Sequence, residues 1–296
     1  MNKITVLYHR ADFDGLFCRE IAKKFLPDAE LIGWDYGDKL IPFPSEGEVY
    51  VLDLSPDCFE SLPKYQERLI WIDHHKSAIE KYPTTIPGYR IDGVSACRLA
   101  WQWFACWVAN GKGMRGPWHE VLPPKERFVD RTVSEPFAVQ LAGEYDIWDK
   151  RNPEAEVFQL GLRSVDQLAW DWLLSFTGMP YIEKLLERGK ILQRYQRAQD
   201  TFAMNNSFIV EFEGLKFLAL NTQAKSSLAF ASKDVPETGH DALLKFSFNG
   251  KIWDCSMYHA KHNTGIDLSQ IAVKHGGGGH SGACGFRSAT LPFNQP

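Results

Sequence analysis

The feature that most constrains this chain is an apolar run that ends in acidic or histidine residues, repeated along the first half. ITVLYH leads into RADFDG, so His9, Asp12 and Asp14 follow one short β-branched run. VYVLDLS brings a second run to Asp53, and LIWIDHH brings a third to Asp73, His74 and His75. A fourth segment, AGEYDIWD, closes a helical pattern with Asp146 and Asp149. Short apolar runs separated by helical or turn segments predict a parallel sheet with covering helices. Side chains beyond the carboxyl ends of such strands converge on one crevice. Carboxylates crowded there repel one another unless cations neutralise them. Mixed with imidazole, they suit manganese, zinc, iron or magnesium-like ions rather than soft-metal thiolate sites. Two ions sharing one bridging Asp would hold a phosphoryl group and a nucleophile for in-line displacement.

Taken singly, each group has a plainer use. Asp12 and Asp14 could cap the helix that starts at Gly15, and Asp53 could cap a turn before Pro56. Adjacent histidines such as His74 and His75 are usually structural or exposed. Four such segments, each ending an apolar element, favour the metal reading.

The pattern predicts strands over 4–8, 30–36, 48–54 and 69–72, with helices over 15–25 and 95–110. Residues 111–124 are rich in Gly and Pro and read as a loop. A helix over 134–148 takes Ser134 as its N-cap, with Pro136 near the first turn. Residues 181–205 form a long amphipathic helix, after which the sequence turns strand-rich, and Asn249-Gly250 signals a hairpin. The boundary falls near residue 200, giving a first domain over 1–185, a linker helix over 186–206 and a second domain over 207–296. The fold class is α/β. A parallel-sheet domain with helices on both faces is joined by a long helix to a smaller α/β cap.

The chain has 296 residues, of which 44% are hydrophobic and 24% charged, the balance of a soluble protein with a core. A formal net charge of −4 argues against tracking along long nucleic acid, which needs a basic surface. A small anionic substrate remains compatible with it. None of the six cysteines forms a CxxC pair, so they read as buried hydrophobes in a reducing compartment. The first residues turn polar too early for a secretory signal, and no run is long enough to span a bilayer. The expectation is a cytoplasmic enzyme with no membrane partner, and a homodimer is compatible with it.

Taken in order, the HRADFDG, VLDLS, IDHH and EYDIWD segments resemble the motifs of the DHH phosphoesterases. The C-terminal IDLSQIAVKHGGGGHSGACGF resembles the DHH-associated domain, so the resemblance covers nearly the whole chain. It implies two divalent cations, usually manganese, lying between the N-terminal domain and the cap. His9, Asp12 and Asp53 would bind one ion. Asp14, Asp53, His74 and Asp146 would bind the other, with Asp53 bridging. Asp73 would support the site by orienting a histidine, and His75 would lie near the scissile phosphate as donor or acid. A hydroxide between the ions would be the nucleophile. Four glycines also let a backbone approach an anion closely, so Gly277, Gly278, Gly279 and His280 are candidate substrate contacts. Many relatives carry an Arg in the cap strand that here reads DCSMYHAKHN, so His259, Lys261 or His262 would stand in for it. Arg98 and Arg151 read as structural or surface arginines.

Among the activities the resemblance implies, a pyrophosphatase is disfavoured by the GGGGH signature, and a processive exonuclease by the short, acidic chain. The reading left is hydrolysis of linear dinucleotides such as pGpG, or very short RNA, to mononucleotides, with aromatic side chains stacking on bases. The alternatives are a phosphatase of adenosine 3′,5′-bisphosphate and a non-catalytic nucleotide-binding protein.

Overall fold

The computed structural model describes residues 3–62, 67–109, 122–149, 151–223 and 239–293. Its contacts divide the chain into two compact units, Met1–Lys190 and Ile191–Pro296. Among the described residues, no helix is long and apolar enough to cross a membrane.

In the first unit the strands β1 (Ile4–His9), β2 (Glu30–Trp34), β3 (Glu48–Leu52), β4 (Leu69–Asp73) and β5 (Gly88–Arg90) form one sheet. Its order is β2-β1-β3-β4-β5, and all four pairings are parallel. The strands are apolar on both faces because both faces are covered. Val6, Tyr50, Leu52, Ile70 and Ile72 pack with residues of α1 (Phe13–Phe25), α3 (Ala96–Ala109) and α5 (Phe137–Asp146). The alternate residues Leu7, Val49, Val51, Leu69 and Trp71 pack on the other side, with Ala78 of α2 (Lys76–Lys81) and Cys58. That two-residue alternation fixes register, since a slip of one would exchange the faces.

Among the described residues, the remaining α-helices that lie wholly in this unit are α4 (Lys125–Val129), α6 (Pro153–Arg163) and α7 (Trp170–Leu173). The long helix α8 (Met179–Met204) contains the division between units. Ser134 does not cap α5. Pro136 occupies the N-cap with no side-chain hydrogen bond, while the Ser134 carbonyl accepts from Gln102 Nε2 at 2.9 Å. Proline pre-sets the extended backbone there without supplying an oxygen. Most of the loop expected over 111–124 lies outside the described residues.

The second unit holds a six-stranded sheet in the order β10-β11-β9-β8-β7-β6. Its strands are β6 (Phe208–Phe212), β7 (Leu215–Asn221), β8 (Ala242–Phe248), β9 (Trp253–His259), β10 (Gly278–His280) and β11 (Ala283–Ser288). Among its described pairings, only that of β7 with β8 is parallel. Asn249 and Gly250 do open a hairpin, but in a four-residue loop. Phe248 pairs with Trp253, and Asn249 Oδ1 accepts from Lys251 N and Ile252 N, both at 3.1 Å.

The glycine run has a structural account at three of its four positions. Gly276 takes φ 77° after α9 (Ser269–Lys274), and Gly276 N and Gly277 N donate to Val273 O and Ala272 O. This is the Schellman end that favours a left-handed glycine. A Cβ on Gly277 would sit 2.0 Å from Gly285 O, and one on Gly279 would sit 2.7 Å from Cys284 Cα. Nothing lies within 4 Å of a Cβ on Gly278. Gly277→Ala is therefore expected to cost roughly 1–3 kcal/mol by overpacking. Gly278→Ala should stay within about 0.5 kcal/mol of the parent. Urea midpoints would check the pair; equal losses would show that close packing does not explain Gly277.

Candidate metal centre

In the strand order, β1 leads to β2 on one side, and β3 lies on the other. The carboxyl ends of β1 and β3 therefore flank the crevice where open α/β sheets collect ligands. His9 is the last residue of β1, Asp53 follows β3, and Asp73 closes β4 with His74 and His75 after it. Asp12 is the N-cap of α1, accepting from Gly15 N at 3.0 Å, and Asp14 lies in its first turn. Asp146 is the last residue of α5.

Six of these side chains converge as two sets. In the first, His9 Nδ1 lies 3.0 Å from Asp12 Oδ2 and 3.4 Å from Asp53 Oδ2. In the second, His74 Nε2 lies 3.5 Å from Asp14 Oδ2, 3.4 Å from Asp53 Oδ1 and 3.3 Å from Asp146 Oδ2. Asp53 thus turns one oxygen to each set. It is 1% exposed, yet neither oxygen makes a well-directed hydrogen bond, and the same holds for Asp146 Oδ2. Asp53 also takes φ 57°, a left-handed backbone that costs a non-glycine residue of order 1–3 kcal/mol. A buried, strained carboxylate that faces a histidine with each oxygen fits a cation ligand.

The electrostatics agree. Burial opposes charge on His9, but Asp12 and Asp53 outweigh it and push its pKa up to about 12. His74 is raised well above its ordinary value, because Asp146, Asp53 and Asp14 outweigh its burial. Burial and the Asp53 charge push Asp14 well up. Asp146 rises to about 7 through burial, opposed by His74. Burial would raise Asp53 too, but His74 and His9 hold it below the usual carboxylate range. Without cations, this cluster neutralises itself by keeping protons. Oxygen and imidazole donors in two sets that share one carboxylate suit hard or borderline divalent ions.

The surrounding groups were only partly legible. Asp73 Oδ1 accepts from His74 N at 2.7 Å and faces His75 Nδ1 at 2.8 Å, so the histidine it orients is His75. The N-terminus of α3 holds Asp14: Ala96 N and Cys97 N donate to its two oxygens, each at 2.8 Å. A buried network sits just before Asp146. Glu144 accepts from Arg131 Nε at 2.7 Å, Gln140 Nε2 at 2.8 Å and Asn152 Nδ2 at 2.9 Å. After Asp146 the helix ends with Trp148 at φ 59° and Asp149 N donating to Glu144 O at 2.8 Å. The supports of Asp14 and Asp146 follow no strand-end pattern, so sequence spacing could not reveal them. Asp35 did have such a signal. The strand expected over 30–36 stops at Trp34, which places Asp35 at a strand end, 3.3 Å from His9 Nε2.

Arg98 is a buried structural residue, donating to Glu135 Oε1 through Nε at 2.8 Å and Nη2 at 2.5 Å. Arg151 pairs with Asp149 at 2.5 Å. The cap candidates lie in the second unit, with His280 ending β10, His259 ending β9 and β11 between these two strands. His280 is opposite Ala283, and His259 N donates to Gly282 O at 3.0 Å. His259 Nε2 lies 2.6 Å from Ile266 O, so that nitrogen is occupied by the backbone.

No family model matches the chain, and no curated protein does. Solved structures do. An exonuclease RecJ bound to manganese is 14% identical, with 97% of this chain and 86% of that chain covered and a TM-score of 0.50. A DHH domain from a protein described as belonging to a family of ribosomal proteins is 13% identical, covering 97% and 82% with a TM-score of 0.49. A pGpG-specific phosphodiesterase from Vibrio cholerae is 16% identical, covering 97% and 93% with a TM-score of 0.38. At such identities the likeness is one of fold. The chain shares its α/β fold with that manganese-bound RecJ.

Proposed function

We propose that this protein is a divalent-metal-dependent phosphodiesterase that cuts linear dinucleotides such as pGpG, or very short RNA, to mononucleotides. One observation carries the reading: Asp53, buried and without a well-directed hydrogen bond, faces His9 with one oxygen and His74 with the other. That arrangement suits two cations sharing a carboxylate. His9, Asp12 and Asp53 would hold one, and Asp14, Asp53, His74 and Asp146 the other. Two bound cations, manganese being the first candidate, would offset phosphate charge and lower the pKa of water.

The other roles belong to the chain's own groups. Hydrolysis adds water oxygen to phosphorus and breaks the bond to the 3′-oxygen, which must take up a proton. His75, oriented by Asp73 and with Nδ1 4.0 Å from Asp53 Oδ1, is the group assigned to deliver it. Gly278 offers open backbone, and with Gly277, Gly279, His280 and His259 it forms the set assigned to substrate. The RecJ neighbour is a nuclease bound to manganese, which supports metal-dependent phosphoester chemistry on this fold. The short-substrate preference is supported by the net charge of −4.

The test is a metal-free preparation given pGpG, a five-residue RNA and adenosine 3′,5′-bisphosphate, with and without manganese. The proposal expects manganese-dependent cleavage fastest on the dinucleotide. Preference for the bisphosphate would make the protein a phosphatase instead. No turnover on any of them would favour a binding protein. His280→Ala should raise KM for the dinucleotide about tenfold, the loss of roughly one charge-assisted hydrogen bond, with manganese affinity unchanged. Unaltered kinetics would remove His280 from the substrate contacts.

A further inference from the structure

Asp35 is an acidic group beside the centre without an assigned role. Its carboxylate Oδ1 lies 3.3 Å from His9 Nε2, while the other ring nitrogen, Nδ1, faces Asp12 and Asp53 with no well-directed hydrogen bond. A metal-bound histidine usually gives its second nitrogen to a carboxylate or carbonyl, which sets the tautomer and ring orientation.

We infer that Asp35 is a positioning residue: it holds the proton of His9 on Nε2 and so presents Nδ1 to the cation shared with Asp12 and Asp53. The inference rests on the metal reading proposed above.

Asp35 is itself held in place by its surroundings. Arg10 N donates to Trp34 O at 3.1 Å, which extends the β1–β2 pairing to the residue before Asp35. Asp35 Oδ1 also accepts from Tyr36 N at 2.8 Å. Asp35 N donates to Asp38 Oδ2 at 2.9 Å, and Asp38 N donates back to Asp35 O at 3.0 Å. Arg10 Nη2 clamps both oxygens of Asp38, at 2.7 and 2.8 Å. The Tyr36 ring stands edge-on to the imidazole of His9 at 5.8 Å between centroids. The turn thus comes with its own hydrogen bonds, and the carboxylate arrives beside Nε2 without depending on a flexible side chain. His74 uses the opposite nitrogen, since its Nε2 faces Asp14, Asp53 and Asp146. The two histidines of the centre therefore present different atoms.

The test counts manganese ions by electron paramagnetic resonance of the free ion during titration of the whole protein. Wild type should bind two. Asp35→Ala should weaken one of them by about 10- to 100-fold and leave the other at wild-type affinity. Asp35→Asn keeps an acceptor oxygen without the charge and should lose markedly less. In magnesium-loaded protein, long-range ¹⁵N spectra should show His9 protonated at Nε2. Two unchanged ions in a folded Asp35→Ala protein would overturn the role of Asp35 alone. A His9 proton on Nδ1 would do the same. Wild type that binds no divalent ion would overturn the metal reading together with this inference.

Discussion

Asp53→Ala should lower kcat/KM on the preferred dinucleotide by at least about a thousand-fold, or ~4 kcal/mol of transition-state stabilisation. The size follows from the position of the residue. A ligand serving one ion could be lost with that ion alone. Asp53 faces both sets, through Oδ2 to His9 and Oδ1 to His74, so removing it disturbs both. The fold should survive, because the carboxylate makes no well-directed hydrogen bond that packing depends on. Far-UV circular dichroism should match wild type, while the rise in Tm that manganese gives should disappear. Activity near wild type at saturating manganese would sink the bridging assignment.

Cation binding should release protons, and affinity should fall steeply as the pH drops. In the metal-free protein, His9 and His74 hold protons well above neutrality, and Asp146 titrates near 7. Each must lose its proton to act as a ligand, since imidazole binds metal only when neutral and carboxylate only when ionised. The sign follows directly. These groups bind protons more tightly in the metal-free state, so acid favours that state and alkali favours the loaded one. Manganese affinity should rise by more than tenfold per pH unit around neutrality, corresponding to more than about one proton released per ion pair bound. At a thousand times Kd the ions should stabilise the fold by about 4 kcal/mol. Calorimetry in buffers of different protonation enthalpy would count the protons. A count of zero would mean the cluster does not exchange protons for metal.

Four of the five strands of the first unit were legible because each rests on an apolar run, and the ends of β1, β3 and β4 carry His9, Asp53 and Asp73; β5, only the three residues Gly88–Arg90, has no such run. Asp35 was hidden by a two-residue error in the end of β2, which made a strand-end residue look like an interior one. The supports of Asp14 and Asp146 were not legible at all. Ala96 N and Cys97 N act through the backbone of a helix start more than eighty positions away, and spacing along the chain carries no record of that. Glu144 carries no such signal, because its partners Arg131 and Asn152 come from outside the helix. The glycine run drew attention for its composition, yet Gly277 and Gly279 are closed by packing and Gly276 by its left-handed backbone, and only Gly278 is free of both, which required knowing φ and what lies opposite each Cβ.

Five of the six converging side chains come from β1, β3 and β4 or from the segments directly beyond β1, β3 and β4, and so are tied to the rigid sheet. Asp146 alone comes from the tail of a helix. An engineer wishing to alter the spacing between two bound ions has one adjustable part here, the tail of α5. Redesigning the Arg131–Glu144–Asn152 contacts would shift one ligand and leave the other five where they are. The same asymmetry tells a comparative biologist where to look for drift in ion preference between relatives: in the residues that anchor this helix end, before the strand-end residues themselves.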